Sequence, residues 1–156
     1  MITIKNEQSL ISLDKAVIKK DIQELLTSLG YGDFDIGILF ISDAGMHQYN
    51  KQYRDKDYVT DVLSFPMHHD LRPGKRIKPH NDDEKNLGDI IIAPAFAREG
   101  AHELQRTLQD HLRILIVHGI CHLLGYDHQT DQEYEQMQAK ENELLSVLSK
   151  AKNRSS

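Results

Sequence analysis

The most constraining feature of the chain is a group of three histidines, His118, His122 and His128, interrupted by a glycine. The first two lie four residues apart, so on a helix they share one face about one turn from each other. Gly125 stands three residues after His122, where a left-handed glycine can end a helix and reverse the chain. The pattern therefore predicts a helix, a tight turn and three imidazoles that meet at one point.

Three imidazoles that meet in an otherwise apolar segment predict a metal site. Their six ring nitrogens need partners; an apolar core offers few, and a metal ion satisfies three. Three protein ligands with an open fourth position are typical of a catalytic zinc site rather than a structural one. We expect one Zn²⁺ ion, although other divalent transition metals also accept imidazole. The isolated histidines are predicted to have ordinary packing or surface roles: His47, His68, His69, His102 and His111.

The ligand spacing also matches the metzincin proteases, whose motif is H-E-x-x-H-x-x-G-x-x-H. Gly125 matches the glycine of that motif, but Gly119 occupies the position of the catalytic glutamate. Without a carboxylate there, the peptidase mechanism loses its proton acceptor. We therefore expect a metzincin-like metal-site helix, with peptide hydrolysis as the weakest of the function hypotheses. Cys121, between the two helical ligands, is expected to be a small buried residue rather than a fourth ligand.

The composition limits the compartment and the partners. The chain has 156 residues and a formal net charge of −5. It has one cysteine, so an intramolecular disulfide cannot form and a reducing compartment fits. The N-terminus has no signal-peptide pattern, and no apolar stretch approaches the ~20 residues that span a bilayer. We predict a soluble, cytoplasmic protein with no membrane partner.

Hydrophobic periodicity predicts the element order β-α-β-α-β-β-α-α-α in one domain over residues 1–148, followed by a disordered tail at 149–156. Strands separated by helices favour parallel pairing, whereas the third and fourth strands have no helix between them and could pair antiparallel. The prediction is an α+β fold: a mixed, mostly parallel sheet of about four strands packed with about five helices. Residues 67–86, rich in charge, proline and glycine, are predicted to form a long mobile loop, and such loops are often functional.

Three separated segments resemble one known family. Residues 118–128, H-G-I-C-H-L-L-G-Y-D-H, are similar to the H-G-x-L-H-L-x-G-Y-D-H motif of the YbeY family of bacterial endoribonucleases. Residues 53–57 and 60–66 resemble the family's Y-R-x-K-D and T-D-V-L-S-F-P segments, and residues 87–90 resemble its L-G-D-I strand. The three segments agree in order and spacing, so the resemblance covers nearly the whole chain. The loop at 67–86 carries no recognisable family motif.

This resemblance implies a zinc-dependent, single-strand-specific endoribonuclease, a hydrolase of RNA phosphodiester bonds. Family members act in ribosomal RNA maturation, notably at the 3′ end of the small-subunit RNA, and in ribosome quality control. The implied partners are single-stranded RNA, ribosomal RNA and the small ribosomal subunit, with no DNA. Carried over by position, His118, His122 and His128 are the metal ligands, and Arg54 matches a functionally important arginine. We therefore predict Arg54 and His118 as catalytic residues.

The expected chemistry leaves several alternatives open. The metal would polarise the scissile phosphate, a water or both, and Arg54 would stabilise charge on the phosphoryl oxygens. By spacing alone, Arg54 could equally form a salt bridge with Asp55, Asp57 or Asp61. Asp127 either supports a ligand imidazole or caps the turn. No residue stands out as the general base, and either water or the RNA 2′-hydroxyl could attack.

The strongest rival hypothesis is a non-enzymatic ribosome-assembly factor with a structural metal. A metal site and an RNA-binding surface need no catalytic turnover. This hypothesis predicts that His118→Ala unfolds the protein and that the pure wild type cleaves nothing.

Overall fold

Four strands and five helices lie along residues 1–154, the part of the chain that the computed structural model describes. The strands are β1 (Ile2–Asn6), β2 (Asp35–Phe40), β3 (Val62–Pro66) and β4 (Asn86–Ile92). The helices are α1 (Lys15–Leu29), α2 (Asp43–Arg54), α3 (Pro94–Glu103), α4 (Leu108–Leu123) and α5 (Asp131–Arg154). A 3₁₀ turn, Asp82–Glu84, precedes β4. The order of helices and strands is the predicted one.

The strands form one mixed sheet in the order β1-β2-β4-β3. The β1–β2 and β2–β4 pairs are parallel, and Ile38 of β2 is the register partner of both Ile4 and Ile90. Strand β3 runs antiparallel to β4, with Ser64 opposite Ile90. The predicted α+β class and mostly parallel sheet are confirmed, including the antiparallel pair that no helix separates.

The main core lies between one face of the sheet and helices α1, α4 and α5. Alternate residues of β2, Ile36, Ile38 and Phe40, point into it and are buried. Asp14 caps the start of α1, because its side chain accepts hydrogen bonds from two backbone N–H groups of the first turn. Gly30, with φ of +80°, ends the helix. These local signals place the apolar stripe of α1 against the sheet.

Helix α2 packs on the opposite face of the sheet. Its Met46 is fully buried beside Leu63 and Ile91. The neighbours of Ile91 in β4, Ile90 and Ile92, point into the main core and are also fully buried. Strand β4 is therefore covered on both faces, which explains its uninterrupted run of β-branched residues.

Helix α4 approaches the sheet closely at Gly119. A Cβ atom at this position would lie 2.8 Å from Cδ1 of Ile90, so a side chain here would have to displace the buried side chain of Ile90. The Ser64 hydroxyl of β3 donates a hydrogen bond to the Gly119 carbonyl at 3.3 Å. The absence of a metzincin-type glutamate at position 119 therefore has a steric cause, because a side chain starting there would meet Ile90.

Residues 67–85 form a long and mostly irregular segment, as predicted except that Asn86 already begins β4, and the segment packs onto the domain. Ile77 is buried, and its backbone N–H donates to the Tyr31 hydroxyl at 3.0 Å. The Arg76 guanidinium donates to the Leu29 carbonyl at 2.8 Å and lies over the Tyr31 ring, 4.5 Å from its centroid. Ile77 and Arg76 thus anchor the loop to Tyr31 and the end of α1, and composition alone did not reveal this.

The last helix extends beyond the predicted end of the domain. Helix α5 continues to Arg154, so most of the tail predicted at 149–156 is helical, and residues 155–156 lie outside the described part of the chain. Within residues 1–154, no helix is both long enough and apolar enough to cross a membrane.

Candidate metal centre and active-site cleft

The end of α4 and the turn after it bring the three predicted histidines together. His118 and His122 are one turn apart, and their Nε2 atoms are 3.1 Å from each other. One ligand nitrogen from each of these residues and from His128 lies within 4.8 Å of the other two. Two ligands of a tetrahedral zinc, each at ~2.0–2.1 Å, stand roughly 3.3 Å apart. The spacing therefore suits a metal ion.

Gly125 makes this convergence possible in two ways. Its φ is +93°, a left-handed conformation that reverses the chain after α4. A Cβ atom there would also lie 2.5 Å from the Leu71 carbonyl oxygen. The turn is closed by hydrogen bonds from the Gly125 N–H to the His122 carbonyl and from the Tyr126 N–H to the Cys121 carbonyl. The loop containing residues 67–86 thus packs directly on the turn that positions the third histidine.

The Nδ1 atoms of His118 and His122 each lie within hydrogen-bond distance of an acceptor oxygen. Nδ1 of His118 lies 3.0 Å from the Glu141 carboxylate, and Nδ1 of His122 lies 3.0 Å from the Tyr126 carbonyl. A neutral imidazole that donates from Nδ1 keeps a lone pair on Nε2. Two such lone pairs 3.1 Å apart repel unless a cation or a proton lies between them. The hydrogen-bond partners therefore favour the tautomers that bind a metal.

The electrostatics of the cluster favour a neutral His122 ring. Burial, and then the proximity of His118 and His128, lower the pKa of His122 to about 4. His122 is therefore unprotonated at neutral pH, as a metal ligand must be. Burial raises the pKa of the Cys121 thiol to about 12, and this side chain is fully buried in the core. Cys121 is accordingly a packing residue and lies outside the histidine cluster.

The histidines lie in an open cleft of about 620 Å³. Arg54 and Lys56, at and just after the end of α2, line this cleft together with His118, His122 and His128. Residues that are distant in sequence therefore share one solvent-filled space, and it contains both predicted catalytic residues.

Arg54 does not use the salt bridges that its spacing allowed. Within residues 1–154 it forms no ion pair. Asp57, one of the candidate partners, is held by His47 at 2.7 Å. The Arg54 side chain is exposed and lines the cleft, so its guanidinium is available to an anionic ligand.

Asp127 lines the same cleft, but its observed hydrogen bond is to the backbone. Its carboxylate accepts a hydrogen bond from the His128 N–H at 2.8 Å. Asp127 therefore holds the turn that carries His128. The ring nitrogens of the other two histidines are bound by Glu141 and the Tyr126 carbonyl.

Sequence reasoning missed Glu141 and set aside two loop histidines. Met137 and Leu144, four residues before and three after Glu141, are fully buried, so an acidic residue stands on the apolar face of α5. The position of Glu141 on this apolar face could have predicted its role, since a carboxylate on a buried face needs a polar partner. His68 and His69, predicted to have ordinary roles, also line the cleft.

A larger cavity of about 760 Å³ lies on the sheet face covered by α2. It is lined by Lys5, Leu39, Tyr53 and Asp89, among others, and holds none of the predicted site residues. In residues 1–154 the three histidines are the one group of His, Cys, Asp or Glu side chains spaced to hold a metal ion. Size therefore does not identify the functional site here, and the smaller cleft is the stronger candidate.

Comparison with known proteins gives one consistent family. The family sequence model described as "Endoribonuclease YbeY" matches residues 3–149. A human protein named Endoribonuclease YbeY is 35% identical over 94% of this chain and 87% of its own length. Relatives of the same name are 37% identical in Pelotomaculum thermopropionicum, over 94% of this chain and 96% of that protein, and 39% identical in Aquifex aeolicus, over 91% and 92%.

One solved structure shows the same fold. The solution structure of TM1509 from Thermotoga maritima superimposes with a TM-score of 0.60, covering 97% of this chain and 93% of that protein. The two sequences are 24% identical, so this likeness concerns the fold alone.

Proposed function

The chain belongs to the YbeY family of endoribonucleases, and we propose that it is a metal-dependent endoribonuclease that hydrolyses phosphodiester bonds in single-stranded RNA. One observation carries the proposal beyond family membership. Three imidazoles spaced to hold a metal ion line the same open cleft as Arg54, which forms no ion pair among the described residues. This combination suits phosphodiester cleavage, because negative charge on the phosphoryl oxygens must be stabilised while the bond breaks.

We propose Zn²⁺ as the metal, one ion held by His118, His122 and His128. The imidazole donor set and the open side of the cluster support this assignment. When bound, the ion supplies a positive charge that draws electron density from a phosphoryl oxygen or a water molecule. Glu141 and the Tyr126 carbonyl keep the two helical imidazoles oriented with Nε2 towards that ion.

Arg54 is proposed to bind the scissile phosphate. Its planar guanidinium presents several N–H donors and stays charged at all relevant pH values. Its place at the end of α2 puts this charge at the rim of the histidine cleft, next to Lys56. Charge that develops on the phosphoryl oxygens would meet a cationic donor that has no competing carboxylate among the described residues.

Ribosomal RNA is the proposed substrate. We propose that the protein acts at the 3′ end of the small-subunit RNA and in ribosome quality control, with the small ribosomal subunit as partner, in the cytoplasm. Family membership supports this role. Peptide hydrolysis is disfavoured, because Gly119 packs against Ile90 and leaves no carboxylate where a metzincin has its base.

The decisive experiment is a cleavage assay on one RNA sequence in single-stranded and double-stranded form, with metal-replete protein. We expect cleavage of the single strand, its loss with a chelator, and its recovery when Zn²⁺ is restored. His122→Ala should abolish cleavage, whereas His102→Ala, an exposed histidine of α3, should behave as wild type. A 2′,3′-cyclic phosphate on the product would identify the RNA 2′-hydroxyl as the nucleophile.

Contaminating ribonuclease is controlled by the same variants. If His122→Ala preparations cleave as fast as wild type, the activity does not belong to this chain and the proposal fails. If metal-replete wild type cleaves nothing and His118→Ala unfolds, the protein is an assembly factor with a structural metal.

A further inference from the structure

The segment that follows α2 is held rigidly along one side of the metal cleft. Asp55 ends the helix in a left-handed conformation, with φ of 54°. The Lys56 N–H then donates to the Asn50 carbonyl at 3.2 Å, and the Asn50 side-chain amide donates to the Tyr58 carbonyl at 2.8 Å. Asn50 is itself buried. One buried residue thus fixes the backbone on which Lys56 and Tyr58 stand.

The Tyr58 side chain is exposed in this rigid setting. It is 55% exposed and lines the cleft together with Arg54, Lys56 and the three histidines. Across the described residues its ring stacks on no other aromatic ring, and its hydroxyl has no hydrogen-bond partner. Tyr53, similarly exposed, packs against Tyr49 and Phe65 with ring centroids 5.7 and 5.5 Å away. Tyr58 therefore presents an aromatic surface that the fold itself does not use.

A flat aromatic ring beside two cations is suited to one kind of ligand. Arg54 and Lys56 can bind successive phosphates, and an aromatic ring next to them can stack on the base that those phosphates carry. A base within a duplex has both faces covered by its neighbours. Only an unpaired base offers a free face to such a ring.

We propose that Tyr58 forms a stacking subsite for one unpaired nucleobase next to the phosphate bound by Arg54. The subsite rests on the proposed function and deepens it, because it gives the cleft a physical reason to prefer single strands. Any base can stack, so the subsite selects for strandedness rather than for sequence.

The test measures steady-state cleavage of a single-stranded RNA by Tyr58→Phe, Tyr58→Ala and wild type. Tyr58→Phe keeps the ring and should stay within about twofold of wild type. Tyr58→Ala should raise KM roughly 5- to 100-fold with kcat nearly unchanged, since stacking contributes equally to the bound and transition states. Tyr134→Ala is the matched control, because Tyr134 is 53% exposed on α5 and does not line the cleft.

Removing the base from the RNA locates the subsite independently. In substrates with one abasic nucleotide moved stepwise past the cleavage site, one position should raise KM for wild type as much as Tyr58→Ala does. For Tyr58→Ala, the same abasic substrate should not raise KM any further, because the stacking interaction is already lost.

Two results would overturn the inference and are distinguishable. If wild type cleaves single-stranded RNA and Tyr58→Ala has an unchanged KM, the subsite does not exist while the proposed function stands. If wild type neither cleaves nor binds single-stranded RNA, the proposed function fails and the subsite fails with it.

Discussion

The Glu141 carboxylate lies 3.0 Å from Nδ1 of His118, across 23 residues of sequence and between two different helices. Both side chains are mostly shielded, with exposures of 22% for Glu141 and 30% for His118. A carboxylate on the far side of a ligand imidazole fixes the ring orientation and increases its basicity. Helix α5 therefore supports the candidate metal centre through Glu141.

Removing the Glu141 carboxylate should weaken metal binding. We expect Glu141→Ala to lower zinc affinity by roughly 10- to 100-fold, the usual effect of losing such a partner. Glu141→Gln should lose less, because its amide oxygen can still accept the Nδ1 hydrogen. Competition with a chromophoric chelator measures the affinity directly and needs no activity assay.

The matched control for that experiment is Glu143→Gln. Glu143 stands on the same helix, is 63% exposed and pairs with Lys140 at the surface. Its zinc affinity should equal that of wild type. Equal affinities for Glu141→Ala and wild type would show that the contact has no influence on the metal.

Arg54→Ala should lower kcat/KM for single-stranded RNA by about 10²- to 10³-fold, the typical effect of removing one preorganised donor to a developing charge. Because Arg54 is exposed and forms no ion pair among the described residues, the melting temperature and zinc content should not change. Arg54→Lys should recover only part of the rate, since a point charge replaces a planar donor.

Arg98→Ala serves as the control, because Arg98 is an exposed arginine of α3. Full activity of Arg54→Ala would remove Arg54 from the mechanism.

Gly125→Ala should destabilise the protein more than Gly74→Ala. Both glycines have positive φ, so each substitution carries a cost of about 1–2 kcal/mol for a left-handed residue. A Cβ at position 74 meets nothing within 4 Å, whereas one at 125 lies 2.5 Å from the Leu71 carbonyl oxygen. Urea unfolding of the two variants isolates the cost of that contact, and zinc affinity should fall only for Gly125→Ala. Equal unfolding free energies would mean that the loop simply moves away.

Stability should fall at mildly acidic pH because of His111. Burial, and then the positive charge of Arg106, hold the pKa of His111 below the ordinary value of 6.5, with the Asp61 charge acting in the opposite direction. The Arg106 guanidinium also donates to Nδ1 of His111 in a long hydrogen bond of 3.5 Å, which requires an unprotonated nitrogen. As pH falls through about 6.5, the unfolded state takes up this proton first, so the free energy of unfolding decreases until the pH reaches the folded-state pKa.

The measurement is urea unfolding of wild type and His111→Gln between about pH 8 and pH 5. Above about pH 7 the difference in unfolding free energy between the two proteins should be constant, since His111 is neutral there in both the folded and the unfolded state. Below it the difference should change in favour of the variant. All other titratable groups are the same in both proteins, so their contribution cancels. Parallel curves over the whole range would show that His111 is not responsible.

Much of the fold followed from local patterns in the sequence. The Asp14 cap, the Gly30 stop and the alternation of Ile36, Ile38 and Phe40 each act over a few residues, and together they bound α1 and orient β2. The convergence of the three histidines also follows locally, since helix period and a left-handed Gly125 determine it. The missing metzincin glutamate could be read from position 119, but its steric cause required the position of Ile90 in the neighbouring strand.

The sequence by itself therefore determined the elements, their order and the histidine cluster, because capping, side-chain periodicity and turn conformation depend on neighbouring residues. Only the tertiary structure decided what surrounds that cluster. Arg54 reaches the cleft because α2 packs on the sheet, and Glu141 reaches His118 because α5 packs against α4. Ile77 anchors the loop at 67–86 through Tyr31, 46 residues away. Contacts of this range depend on which faces of distant elements meet, and no local period in the chain encodes that.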